Sequence, residues 1–464
     1  MTYGTQLLTD APTVLQRKIS NLVIATLAAV LGGYLYGYDT LVISGAIDYL
    51  TEFYKLDAGG KGQAASCALI GCFIGAISAG WVVDRLGAKV GLWLCAICFA
   101  GSSIGTYFAG SLSSFIFWRI LAGLGLGMAS IVAPMYIAEI APTGIRGRLV
   151  TLYQFGIVLG ILSAVFINKL IHGLGDEMWN LNSGWRYMFM ASAAPAILFA
   201  AMIMPAVESP RWLMKMKRRE EALNILRRLN GPEIAAVEAQ EIEQSLNKEE
   251  GKFSELFTTG FRRPLVIGIV LAGLSQASGI FVLLTFLKGL LEGAGFSRSS
   301  AFSQTVLVGA ILAIFTLAAL ALVDLAGRKT LLVLGTLAQF VSMAAVAWLF
   351  NSQGHGLAIL VFFLIFVAAH AAGNGAVCWV IISEIFPTKI RGRAMSVATT
   401  SLFLVAYLGN LVYPAMQEHL GYSGTFWCFS AAALINLLYV LFQVPETKGR
   451  SLEQIEKMWV AQGE

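Results

Sequence analysis

Twelve stretches of mostly apolar residues follow one another along the chain, near 22–47, 65–83, 90–110, 113–137, 150–171, 185–205, 264–287, 305–323, 331–350, 357–382, 395–415 and 424–444. A helix needs about 20 such residues to cross the hydrocarbon core of a bilayer. The pattern therefore predicts an all-α membrane protein with twelve transmembrane helices. Composition agrees, with 57% hydrophobic and only 13% charged residues, where a soluble domain carries about a quarter charged. Of the 32 basic and 27 acidic residues, 21 fall in 206–263, so the remainder of the chain is compatible with lipid. A soluble enzyme, a disordered chain and a nucleic-acid binder are excluded.

Arg17 and Lys18 precede an apolar run too long for a cleavable signal, so the first span is expected to be retained. Placing Lys55, Lys61, Lys169, Arg186, Lys288 and Arg298 in the loops after odd-numbered spans leaves 25 basic residues for the termini and the other loops, with Arg119 inside span 4. Cytoplasmic loops carry the excess of Lys and Arg. Both termini and 206–263 are thus expected in the cytoplasm, in a multi-pass plasma or inner membrane protein. The six cysteines, Cys95 and Cys98 included, sit in or beside apolar runs and read as small hydrophobes.

The chain also repeats itself. Glu139-Ile-Ala-Pro-Thr-Gly-Ile-Arg-Gly-Arg148 recurs as Glu384-Ile-Phe-Pro-Thr-Lys-Ile-Arg-Gly-Arg393, and Asp84-Arg-Leu-Gly-Ala-Lys89 as Asp324-Leu-Ala-Gly-Arg-Lys329. Offsets of 245 and 240 residues define two six-helix halves in one orientation. The expected division is a bundle over 1–205, an amphipathic helical linker over 206–263, a second bundle over 264–444 and a short tail over 445–464. Within the linker, Ala222, Ile225, Leu226 and Leu229 recur at helical spacing.

On these motifs, together with Gly37-Tyr-Asp-Thr-Leu-Val-Ile-Ser-Gly45, Pro134-Met-Tyr-x-x-Glu139, Glu208-Ser-Pro-Arg-Trp-Leu213, Ser275-Gln-Ala-Ser-Gly-Ile280 and Pro445-Glu-Thr-Lys-Gly449, the chain resembles the sugar porter family of the major facilitator superfamily, and within it the bacterial proton-coupled sugar symporters. The charged motifs also have a physical reading of their own. Asp84, Arg85, Lys89, Glu139, Arg146, Arg148 and Glu208 of one half, and Asp324, Arg328, Lys329, Glu384, Arg391, Arg393 and Glu446 of the other, fall at cytoplasmic helix ends. They can bridge the halves and hold the inner side shut, or act as topology charges and helix caps. Ala88 and Leu325 stand where the family usually carries charges, which implies a weaker clamp.

Asp39 and Arg119 are the clearest ionisable residues expected within the membrane, and a lone charge at such depth needs a partner or a water-filled cavity. The resemblance assigns them to proton coupling; a static structural pair is the plainer alternative. His370 in span 10 reads as a hydrogen-bonded histidine between helices.

For the substrate, the resemblance assigns Gln154, Gln276 and Trp379 to a central cavity, with amides for sugar hydroxyls and an indole along the sugar ring. The departures are Ser275 for a first Gln, Phe281 for an Asn, Thr285-Phe286 for paired Tyr, Leu312 for an Asn, and Gly373-Asn-Gly375 for a Pro-containing turn. Each lost hydrogen-bonding group weakens the usual hexose pose by about 1–3 kcal/mol.

The function expected is import of a sugar or polyol with a proton by alternating access, in a chain working as a monomer, with no cofactor or metal. The alternatives are a carrier of a less hydroxylated solute (a deoxy sugar, cyclitol or organic acid), a facilitative carrier, and a non-transporting sugar sensor. Neither a nucleophile–base constellation nor a nucleotide-binding loop argues for an enzyme or a primary pump.

Overall fold

In the computed structural model the described residues are 6–141, 146–247, 262–352, 356–386, 391–448, 455 and 459, excepting the side chains of 6–21, 146–148, 150, 151, 230, 232, 233, 245, 247, 320, 324 and 391. Arg146, Arg148, Asp324 and Arg391 therefore lie outside the described side chains. Among the described residues there is no strand.

Spans 1 to 5 are Gln6–Phe53, Ala58–Leu86, Ala88–Tyr107, Leu112–Ile140 and Arg146–His172. Span 6 runs over Glu177–Ile203, with a π-helical turn at Asn180–Gly184. Spans 7 to 10 are Arg262–Gly293, Arg298–Ala326, Arg328–Asn351 and Gly356–Ile385. The final helix, Arg391–Gln443, is 53 residues long and is interrupted by non-helical backbone at Gly421. At 1.5 Å per residue it is more than twice the length a bilayer needs, so it supplies spans 11 and 12. Ser401 before the break bonds to Ile269 O, whereas Ser423 and Ser430 after it bond to Ala347 O and Phe340 O.

Apolar side chains face outward as well as inward. Ile97, Phe117, Trp348 and Ile435 are all more than half exposed, as a helix in hydrocarbon requires. Packing between spans relies on close backbone approach, which lipid-embedded helices favour in place of a hydrophobic driving force. A Cβ on Gly37 of span 1 would lie 1.9 Å from Ile157 O of span 5. Between the halves, one on Gly62 of span 2 would lie 2.2 Å from Leu411 O of span 11.

The segment after span 6 forms three helices, Pro210–Lys215, Arg219–Asn230 and Pro232–Asn247. Their small core is Leu226, Ala235 and Ala239, and Leu229 is buried in the main core of the bundle. Residues 248–261 lie outside the described chain.

Two sequence expectations need correction. Span 1 continues to Phe53 and not to 47, so Asp48, its side chain 19% exposed, lies within it. Lys288 does not lie in a loop: it is within span 7 and its side chain is 1% exposed, and Lys61, Lys169, Arg186 and Arg298 likewise fall within helices. A hydropathy window tolerates one cation among Leu and Phe, and the pairing that makes such a cation affordable comes from a helix distant in sequence.

Candidate functional site

Asp39 of span 1 and Arg119 of span 4 meet within the first bundle. Arg119 Nη1 donates to Asp39 Oδ1 at 2.5 Å and Nη2 to Oδ2 at 2.9 Å, the parallel fork that a guanidinium and a carboxylate form best. Their side chains are 4% and 12% exposed, the guanidinium lies 4.9 Å from the Phe189 ring centroid, and Arg119 Nε has no partner. Either charge alone would be costly in this setting.

The pair opens onto a constricted cleft between the halves with a cavity volume of about 30 Å³. One half contributes Tyr36, Thr40, Ile43, Ala65, Ala68, Leu69, Cys72 and Leu126 beside the ion pair; the other contributes Phe281, Thr285 and Phe403. Phe281 reaches the cleft because span 7 breaks just before it. Gly279 has φ +91°, in the left-handed region that a side chain disfavours, and helix resumes at Ile280.

The other residues assigned to the substrate do not line this cleft. Gln276 donates through Nε2 to Ser275 Oγ at 3.0 Å, and its Oε1 is buried without a partner. Gln154 in span 5 and Trp379 in span 10 are half-buried, and Trp379 packs against the core. Leu312 is buried. His370 is buried, and its Nδ1 has no hydrogen-bond partner. A π-helical turn at Ala371–Gly375 follows it, where Asn374 donates to Gln339 at 3.3 Å.

On the face where the described chain begins and ends, the repeated motifs build one device twice. Glu208 accepts from the Lys89 and Ser209 N–H groups, and Lys89 Nζ donates to Met204 O. Glu446 accepts from Arg328, Lys329, Thr447 and Lys448 N–H groups, and Lys329 Nζ donates to Leu441 O. Each carboxylate thus caps the N-terminus of the third helix of its half, where the helix dipole favours an anion. Burial by itself would raise the pKa of Glu446, but these four N–H donors outweigh it and hold the group below the usual carboxylate range.

Neighbouring charges complete the two clusters. Asp84 pairs with Lys215 at 2.8 Å and Arg328 with Glu384 at 3.0 Å, and Glu384 also accepts from Thr447 Oγ1. Arg85 lies over Trp81. None of these bonds runs from the first six spans to the last six, and Lys215 lies on the first linker helix. Glu139 and Arg393 also engage partners. Ala88 is buried and Leu325 is 74% exposed.

The opposite, far face holds a cluster that the motif reading missed. Asp48 accepts from Lys61 at 3.1 Å and from Lys288 at 3.2 Å, and Arg298 donates to Glu177 at 2.7 Å. Lys288 also lies 4.8 Å from the Tyr49 ring centroid and 5.0 Å from that of Phe302, on which His172 stacks at 4.4 Å. The pairs Asp48–Lys288 and Glu177–Arg298 cross between the halves. The signal available in the sequence was Lys288 four residues before Glu292 in an apolar run, a spacing that places both on one helix face.

Twelve spans in two halves, with a cleft between them walled by a buried ion pair, define a membrane carrier. Residues 25–459 match the family model described as "Sugar (and other) transporter", and the chain belongs to that family. It is 38% identical to the arabinose-proton symporter of Bacillus subtilis, over 98% of this chain and 99% of that protein. To the D-xylose-proton symporter of Escherichia coli (strain K12) it is 36% identical, over 94% and 95%. The xylose transporter XylE from E. coli, in a partially occluded inward-open conformation, superposes with a TM-score of 0.84 at 35% identity, covering 93% of this chain and all of that one. The protein is a transporter of the major facilitator fold and not an enzyme.

Proposed function

We propose that this protein imports a sugar, of the pentose class that its relatives' names carry, together with a proton. The observation that carries the reading is the forked Asp39–Arg119 pair at the wall of the cleft between the halves. Ionised Asp39 holds Arg119 and ties span 1 to span 4. Protonated Asp39 loses that charge, frees the guanidinium and lets the helices around the cleft rearrange. A difference in proton affinity between the two conformations is the coupling free energy between proton and substrate. Span 7, broken at Gly279 just before the cleft-lining Phe281, supplies a hinge.

A second reading, favoured by the Phe281, Thr285 and Phe403 wall, gives the cleft to a less hydroxylated solute such as a deoxy sugar. The excess of Lys and Arg supports placing the terminal face in the cytoplasm of a plasma or inner membrane. The same repeat supports rigid bodies over 1–205 and 264–444, joined by the 206–263 linker, with one copy sufficient for transport.

Proteoliposome counterflow against pentoses, hexoses, cyclitols and deoxy sugars, with and without an imposed pH gradient, tests the reading. Exchange of a pentose, with accumulation when the interior is alkaline, is expected. Absence of exchange with every member of the panel would overturn the substrate class, and exchange without pH-driven accumulation would make the protein a facilitator.

A further inference from the structure

The far-face cluster has a design that ion pairing alone does not require. Three of the four charged groups at the crossing between halves, Asp48, Lys288 and Arg298, also have a second opposite charge within their own half. Asp48 holds Lys288 across the interface at 3.2 Å and Lys61 of its own half at 3.1 Å. Lys288, on the other side, has Glu292 one helical turn along its own span at 3.7 Å. Arg298 likewise holds Glu177 across the interface at 2.7 Å and has Glu292 at 3.7 Å in its own half. Glu292 Oε1, the atom facing both cations, is buried without a hydrogen bond.

We propose that Asp48, Lys61, Lys288 and Glu292 are positioning residues of the transport cycle that form an exchange latch. When the far face is closed, Asp48 and Glu177 hold Lys288 and Arg298 across the halves. When it opens, Asp48 keeps Lys61, and Glu292 receives the two released cations. Lys288 is 1% exposed, and a buried ammonium that lost its only partner would oppose opening strongly. The i, i+4 spacing of Lys288 and Glu292 keeps the replacement within reach in both states. Opening thus swaps ion pairs rather than breaking them, and the balance between the two sets tunes how often the far face opens. The inference rests on the alternating-access reading above.

The latch is tested on substrate-free protein in detergent, where neither sugar recognition nor proton coupling affects the readout. Ser44, 3% exposed, is packed near Lys288 and Asn168 behind the latch. In a background with Cys67, Cys72 and Cys428 changed to Ser, Ser44→Cys reports opening by its rate of labelling with a bulky maleimide. Glu292→Gln and Lys61→Met remove partners that only the open state needs, and should slow labelling about tenfold for a bias of about 1.4 kcal/mol. Asp48→Asn and Lys288→Gln remove the crossing pair and should speed it, while Asp48→Glu should return it to the unsubstituted rate. Opposite signs from the two groups are the signature, since a merely structural role slows or speeds all of them together. Changes of one sign throughout, or labelling within about twofold of the parent in Glu292→Gln, would overturn the proposal. Glu292→Gln decides the matter even where Asp48→Asn and Lys288→Gln fail to fold, because the substituted oxygen makes no hydrogen bond in this structure.

Discussion

The two faces of the bundle use charge in opposite ways. On the terminal face, Glu208 and Glu446 cap helices of their own half, and neither Asp84–Lys215 nor Arg328–Glu384 joins one half to the other. At the far face, Asp48–Lys288 and Glu177–Arg298 join one half to the other. On the alternating-access reading proposed above, the first arrangement lets each half move as a unit and the second comes apart when the far face opens.

The Asp39–Arg119 pair lies between the two regimes: it belongs to one half, like the terminal clusters, yet it faces the cleft. Asp39→Asn gives the largest effect expected. Accumulation driven by a pH gradient should fall at least about tenfold, while counterflow stays within about twofold, because exchange needs no net proton movement. Accumulation that survives would remove Asp39 from coupling and class the pair with the structural charges.

The terminal device can be broken without touching the far face. Gly87 has φ +92°, and a Cβ there would lie 2.6 Å from the Glu208 carboxylate. Gly87→Ala should cost about 1–3 kcal/mol in thermal stability, with labelling of Ser44→Cys unchanged. A change in labelling would show that the terminal clusters report conformation after all.

A smaller effect tests the cleft that separates the two regimes. Phe281→Asn restores an amide where the cleft wall is apolar, and one net hydrogen bond of about 0.5–1.5 kcal/mol should raise hexose affinity roughly two- to tenfold by equilibrium binding. An unchanged or lowered affinity would show that the side chain does not meet the sugar.

The smallest effect concerns Glu446. Its folded-state pKa lies below the ordinary 4.5, so the stability it contributes is complete above about pH 4.5 and is lost as pH falls through the folded value. Solvent screening holds that contribution under about 1 kcal/mol. The Tm difference between the wild type and Glu446→Gln should therefore be constant near neutrality and shrink on acidification. A gap that widens in acid would mean the carboxylate is not held by its N–H donors.

Much of this architecture was legible in the residues. Length and apolarity of the spans, the two repeated motifs and the Lys and Arg distribution are averages over many side chains, and membrane insertion depends on such averages. Asp39 and Arg119 stood out because each is a charge in an apolar run. Local sequence also carries the break at Gly279, where a left-handed backbone needs glycine. Lys288 reads as a loop residue and Asp48 falls just past the first apolar run, since nothing local distinguishes a snorkelling lysine from one held by a carboxylate 240 residues away. Only the packing of span 1 against span 7 brings those charges together and sets Phe281 in the cleft with Asp39. The reason is physical: partition into a bilayer sums over a segment, whereas an ion pair or a cleft wall depends on which atoms of distant segments come within a few ångströms.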